Sequence, residues 1–385
     1  NLKSSNSLNI SRNLKPPSYR KKSSAFAGPR KNLRKFPYFR SMIFTEETTL
    51  EHLCINYVGN QTHQEALVTT DSEVFITDEM KALLKDYFLK NFKPEIFFEF
   101  FHSSNIENNE VFTYVSEIFE QPELLENQSK KLAKLLYEHS TNPRTKGGEF
   151  YVCYFKDLIV KGERYDAVGL FKSENKDTFL KVSPKNENFE LETLQGINLN
   201  KVDKGCIIYN TTKEQGYLIS IIDGTSRAET SYWMDDFLQV RQRQDEYFET
   251  QETLTLYKEF ITKQLPQEFE ISRADQVDLL NKSLNFFKEK EEFKMEEFAG
   301  EVLADDEVIN SFNTFKTQYE DERDYVLSDD FAINDAAVKK NARLLKSIIK
   351  LDKNFHIYVH GDRKKLQQGQ DENGKYYILY FEEEN

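Results

Sequence analysis

Cysteine is scarce and poorly placed for a framework: the 385-residue chain has three, Cys54, Cys153 and Cys206, far apart and with no CxxC pair. That spacing argues against a disulfide scaffold or a thiolate zinc site, and fits a reducing cytoplasm. No apolar run approaches the roughly 18 residues of a membrane helix, so no membrane partner is expected. The phosphate-cradling signatures GxxxxGK[ST] and GxGxxG are missing, and no Ser or Cys nucleophile motif occurs, so nucleotide binding and covalent catalysis have no sequence support. Positive charge is in deficit, with 52 Lys and Arg against 65 Asp and Glu, a net charge of −13.

Aromatic residues are plentiful, 31 Phe and 20 Tyr, which predicts aromatic-rich cores. That composition allows a homodimer, although no residue pattern fixes its interface. Charge is unevenly distributed. Residues 1–41 hold eleven Lys or Arg and no acid, which leaves 41 basic against 65 acidic residues, −24, over 42–385. This basic, Ser-, Asn- and Pro-rich extension has little to bury and is expected to be disordered. A nucleic-acid arm and a transit-like presequence are alternatives. The favoured expectation is an upstream translation artefact, with the native start at Met42 and no function assigned to the segment.

One window reverses the acidic trend. Residues 339–365 carry nine Lys or Arg against two Asp. Lys339, Arg343, Lys346 and Lys350 recur at i, i+4, i+7 and i+11, the spacing of one helix face. Val338, Ala342, Leu345 and Ile349 recur at the same spacing, so a helix over 335–350 could pack on one side and offer charge on the other. A row of cations suits phosphates, whose condensed counterions are released on contact. The bland alternative is a solvated face that balances an acidic body. That body repels nucleic acid over most of its area, so any DNA contact must be local.

The pattern of residues predicts an α+β fold with a central, mostly antiparallel sheet and flanking helices. It divides into a basic extension (1–41), an α+β domain (42–240), a helical segment (241–330), and a basic helix with a terminal β-hairpin (331–385). Thr77 caps a first helix, two more follow near 110–119 and 126–140, and Gly59-Asn60 reads as a hairpin turn. Short β-branched and aromatic runs fill 149–222: Phe150–Phe155, Tyr165–Phe171, Thr178–Val182, Gly205–Tyr209 and Tyr217–Ile222. Ser272 and Asp275 resemble a capping box ahead of Val277, Leu280 and Leu284. The terminal hairpin is expected to pair Phe355–Val359 with Tyr376–Phe381 through an Asn373-Gly374 turn.

Three constellations could carry chemistry. Asp166 with Glu174 and Lys176 has the D…ExK residue types of metal-dependent nucleases. Eight residues along one strand span up to roughly 26 Å, however, so a polar hairpin tip is the better reading. Asp235-Asp236 reads as a helix-start pair rather than a cation site. His356 and His360 would lie about 13 Å apart on a strand, too far for one metal without a bend. Tyr151, Tyr154, Phe155, Phe171 and Phe179 could stack on bases but more often fill a core. No catalytic residue, metal or cofactor is expected.

Four segments carry a resemblance: KGGEFYVCYFKDLIVKGERYDAVGLFKSENKDTFLKV (146–182), GINLNKVDKGCIIYN (196–210), SYWMDDFL (231–238) and KLDKNFHIYVHGDR (350–363). In this order they resemble the bacterial nucleoid-associated protein family, in its Bacteroidetes-type form, from about residue 43 to the end. The resemblance implies a cytoplasmic protein recovered with the nucleoid, with no catalytic motif to transfer. Combined with the charge pattern, it yields the expectation of non-sequence-specific DNA binding by Lys339, Arg343, Lys346 and Lys350, extended by Arg363, Lys364 and Lys365. An acidic protein that binds a DNA-handling enzyme or another nucleoid protein is the alternative, and a metal-dependent nuclease a minor one.

Overall fold

The computed structural model describes residues 43–224, 231–343, 345, 348–358 and 365–383. Its centre is a nine-stranded antiparallel sheet. The strands are β1 (Ile43–Phe44), β2 (Thr49–Val58), β3 (Leu67–Val68), β4 (Phe98–Phe100), β5 (Gly148–Val160), β6 (Glu163–Ser173), β9 (Lys204–Tyr209), β10 (Leu218–Asp223) and β11 (Val240–Gln242). Their order is β11-β4-β10-β9-β6-β5-β2-β3, with β1 also against β5. β5 and β6 are joined by Lys161-Gly162, which take φ of 52° and 83°. Positive φ at both positions is the tight-hairpin geometry that matches strand twist, and the second position is glycine.

The apolar run Phe150–Phe155 is continuous because both faces of the sheet are covered. Phe150, Val152 and Tyr154 pack with Val111, Val115 and Leu132 from two helices, α2 (Glu110–Glu120) and α3 (Leu125–His139). Tyr151, Cys153 and Phe155 face the other way, onto Tyr87, Phe88 and Leu89 of α1 (Asp78–Leu89). Thr77 caps α1 as expected, its hydroxyl accepting from the Met80 amide at 3.4 Å. All three cysteines are free and buried, and burial pushes the Cys54 thiol up to about 11.

The Gly59-Asn60 hairpin is looser than expected, because β2 and β3 pair only across Tyr57–Val68 and Val58–Leu67. Asn60 organises the long connection instead. Its side-chain oxygen accepts from the Thr62 amide at 2.8 Å, while its amide nitrogen donates to the Asn142 and Thr145 carbonyls at 2.7 and 2.6 Å. The run Thr178–Val182 lies outside the sheet. It belongs to β7 (Asp177–Lys185), which pairs only with β8 (Asn188–Gly196) as a separate two-stranded ribbon.

Beyond the sheet, helices Glu246–Glu259, Arg273–Glu289 and Asp306–Asp321 enclose a second core, built on Tyr257, Phe260, Phe286, Phe287, Phe293, Phe298 and Phe312. Ser272 caps the Arg273–Glu289 helix by accepting from the Asp275 amide at 3.2 Å. A small ribbon of β12 (Glu292–Lys294) and β13 (Asp330–Ala332) closes one side. The chain finishes with the helix Asp335–Asn341 and two ribbons, β14 (Ile348–Leu351) with β15 (Phe355–Tyr358) and β16 (Leu366–Asp371) with β17 (Gly374–Leu379). The class is α+β. Among the described residues no helix is long and apolar enough to cross a membrane.

Candidate nucleic-acid interface

The basic window does not form one long helix. The helix that starts with the Asn334 cap, whose side chain accepts from the Ala336 and Ala337 amides at 3.0 and 3.1 Å, ends at Asn341. One further turn of backbone bonding reaches Leu345, whose amide donates to the Asn341 carbonyl at 3.1 Å. The β-branched pair Ile348-Ile349 then enters a strand, where branched side chains fit better than in a helix. Ile349 is buried opposite Ile357, against Ala274 and Val277 of the Arg273–Glu289 helix. Burial of one isoleucine in a sheet register therefore wins over the helical spacing of the cations. The i, i+4, i+7, i+11 row is corrected to two separate placements.

In the first placement, Lys339 and Lys340 lie in the last turn of the short helix, with Arg343 just beyond it, all exposed. Cations at a helix C-terminus are also favoured by the backbone dipole. Val338 and Leu345 anchor this segment in the helical core. In the second, Lys350 points away from Ile349, as alternate strand residues must, and stands across the ribbon from His356. Both are exposed. Lys339, Arg343 and Lys350 have no acidic partner within ion-pair distance among the described residues, although Asp and Glu are common in this chain. Lys346, Arg363, Lys364 and His360 lie outside the described residues.

Lys365 is exposed and engages Glu382 at 2.7 Å. It is adjacent to Leu366, and Lys350 is adjacent to Ile349. Leu366 and Ile349 share one small core with Ala274 and Val277. The two lysines are thus each one residue from a common anchor, which the linear spacing did not reveal. The terminal turn also differs from expectation. β17 pairs with β16 rather than with Phe355–Val359, and the two-residue loop is Glu372-Asn373, with Gly374 at φ 125° opening the next strand. Phe355, Tyr358 and Phe381 are exposed.

The nuclease-like residues do not converge. Asp166 accepts from the Tyr154 hydroxyl at 2.9 Å, while Glu174, just past the other end of β6, pairs with buried Lys172 at 3.2 Å. Lys176 pairs with Glu149. Among the described residues no group of three or more His, Cys, Asp or Glu is arranged to hold a metal ion. Asp235 and Asp236 sit in a π-helical turn, Tyr232–Leu238, where burial and the neighbouring carboxylate raise the Asp235 carboxyl above its ordinary range. Tyr151, Tyr154, Phe155 and Phe171 are core residues, whereas Phe179 is exposed on the β7–β8 ribbon.

Sequence reasoning missed a buried charge cluster beneath the sheet end. Lys172 and Lys204 are fully buried on neighbouring strands, and their ammonium groups lie 5.3 and 5.0 Å from the centre of the Tyr232 ring. Lys172 pairs with Glu174, and Lys204 donates to both Asp223 oxygens at 3.0 Å. Asp203 accepts the Glu174 and Asn175 amides, each at 2.9 Å, and fixes the turn after β6. With its charges mutually paired, the cluster is a structural clamp between strands and the Tyr232 turn. The signal available beforehand was lysine inside otherwise apolar strands.

An open cleft of about 550 Å³ at the β4–β11 edge is lined by Glu99, Phe101, His102, Arg241 and Arg243. Its arginines are occupied. Arg241 bonds Glu99 at 2.9 Å, and Arg243 bonds the Thr212 hydroxyl at 3.0 Å.

Comparison with known proteins bears on the same elements. No curated protein matches the chain. A family model described as nucleoid-associated protein YejK matches residues 55–376. The match runs from β2 through the sheet, the helical core and the basic segment into β17, most of the chain. The chain therefore belongs to the nucleoid-associated protein YejK family.

Proposed function

We propose that this nucleoid-associated protein binds DNA directly and without sequence preference, through cations of its C-terminal segment and with no catalytic step. The observation that carries this reading is the set of exposed cations Lys339, Arg343 and Lys350, which have no acidic partner among the described residues, on a chain that is otherwise strongly acidic. Lys346, Arg363 and Lys364 extend the set, together with Lys365, which is exposed but also engages Glu382. Such cations meet phosphates and fix position without reading base edges. The setting is the bacterial cytoplasm, at the nucleoid, and the working form is a homodimer.

A second reading rests on the opposite charge. Residues 289–307 hold nine acids against two lysines, a surface suited to a basic region on a DNA-handling enzyme or another nucleoid protein. One experiment separates the two. Nucleoids are sedimented from cells that carry the Arg343→Glu/Lys350→Glu variant. Loss of the protein from the nucleoid supports direct DNA contact, and retention combined with no binding to bare DNA supports a protein intermediary.

A further inference from the structure

The β7–β8 ribbon has an apolar face with nothing over it. Strand alternation puts Leu180, Val182 and Pro184 on one side, and register adds Thr193, Leu191 and Phe189 directly across from them. Leu180 is 62% exposed, Val182 53%, Leu191 66% and Phe189 67%. The opposite face carries Phe179 across from Leu194 at the base of the ribbon and is polar and self-neutralising along the rest, with Lys181 paired to Glu192 at 3.2 Å and Lys185 to Glu190 at 2.8 Å. Among the described residues neither edge of the ribbon pairs with another strand. A two-stranded ribbon of this kind is marginal in water unless its apolar face is covered.

Charge narrows the occupant. Residues 177–196 hold four acids and two lysines, and both lysines are already paired. Phosphates therefore have no free cation to meet, which argues against DNA despite Pro184 and Phe189 near the tip. A second copy of this acidic chain is repelled by most of the surface. It is met on equal terms by a face that carries no charge. The apolar side offers on the order of 600 Å² per copy, so a symmetric pair covers about 1,200 Å², the lower edge of stable interfaces. A two-fold axis sets the same patch of each copy against the other, so that residue i meets residue j and j meets i, which an apolar row accepts without mismatch.

We infer that two copies of this chain associate through the Leu180, Val182, Phe189 and Leu191 face of the β7–β8 ribbon. The inference rests on the homodimer reading and gives it a location. The test is light scattering on the full chain at micromolar concentration. The unaltered protein is expected at twice 45.4 kDa, and the Leu180→Glu/Leu191→Glu variant at the single-chain mass with an unchanged circular dichroism spectrum. A single-chain mass for the unaltered protein overturns the homodimer and the ribbon together. A double mass that survives the substitutions keeps the homodimer and overturns the ribbon. A second measurement does not depend on the glutamates. Because all native cysteines are buried, Thr193→Cys supplies an exposed thiol that a short bis-maleimide links between copies only if the ribbons face each other. Absence of the linked species contradicts the inference.

Discussion

Lys172 and Glu174 form an ion pair at 3.2 Å in which the lysine side chain is fully buried and the glutamate nearly so. Burial lowers the Lys172 pKa, and Glu174 opposes that shift. Lys172 also donates to the Lys146 carbonyl at 2.9 Å, and the Tyr232 hydroxyl donates to Glu174. Removal of the lysine leaves a carboxylate stranded in the interior. Lys172→Met is expected to destabilise the fold by about 3–5 kcal/mol, read as a lower urea midpoint with unchanged slope. The double variant Lys172→Met/Glu174→Gln should recover a large part of that loss. A double variant as unstable as the single one would show that the pair is not the cause.

Glycine at position 148 answers to a backbone, not to a turn. A Cβ there would lie 1.9 Å from the Ser173 carbonyl oxygen, at the paired ends of β5 and β6. Because backbone cannot swing aside, Gly148→Ala should cost about 2–3 kcal/mol. Gly300 lies exposed in the short helical turn Ala299–Leu303, where a Cβ meets nothing within 4 Å, so Gly300→Ala should gain about 0.5–1 kcal/mol from helix propensity. Thermal melts of the two variants are expected to shift in opposite directions.

Much of the sheet and its helices follows from local pattern. The Thr77 and Ser272 caps, the helices at α1–α3 and the runs at β5, β6, β9 and β10 all stand where side-chain period and capping chemistry place them. Three-residue β4 and β11 carry no such pattern and exist because β10 and each other supply the pairing. At the candidate interface, the residue types were readable and their arrangement was not. The cations at helical spacing share their positions with Ile348 and Ile349, and only the Ala274–Val277 surface, far away in sequence, decides which periodicity prevails.

Glu249 gives a pH signature. Burial holds its carboxyl above the ordinary range, against the pull of the Ser328 amide at 3.1 Å and of Lys316. A carboxyl raised in the folded state contributes stability below its unfolded value and loses it as pH rises through the folded one. Glu249→Gln keeps an acceptor for Ser328 and cannot ionise. The melting temperature of the variant should match the parent in acid and exceed it increasingly as pH rises towards neutral. A constant difference across that range would assign the effect to packing.

The central claim is that local cations on an acidic chain hold DNA by its phosphates. Its most direct test is fluorescence anisotropy with a labelled mixed-sequence duplex across a salt series. The full chain and a chain that begins at Met42 are each measured with and without Arg343→Glu/Lys350→Glu. Binding of the Met42 chain should weaken linearly in log–log salt, with a slope of about −0.9 for each phosphate contacted, and the double reversal should abolish it at low salt. Unchanged affinity in the double variant, or no binding by the Met42 chain at low salt, would contradict the account.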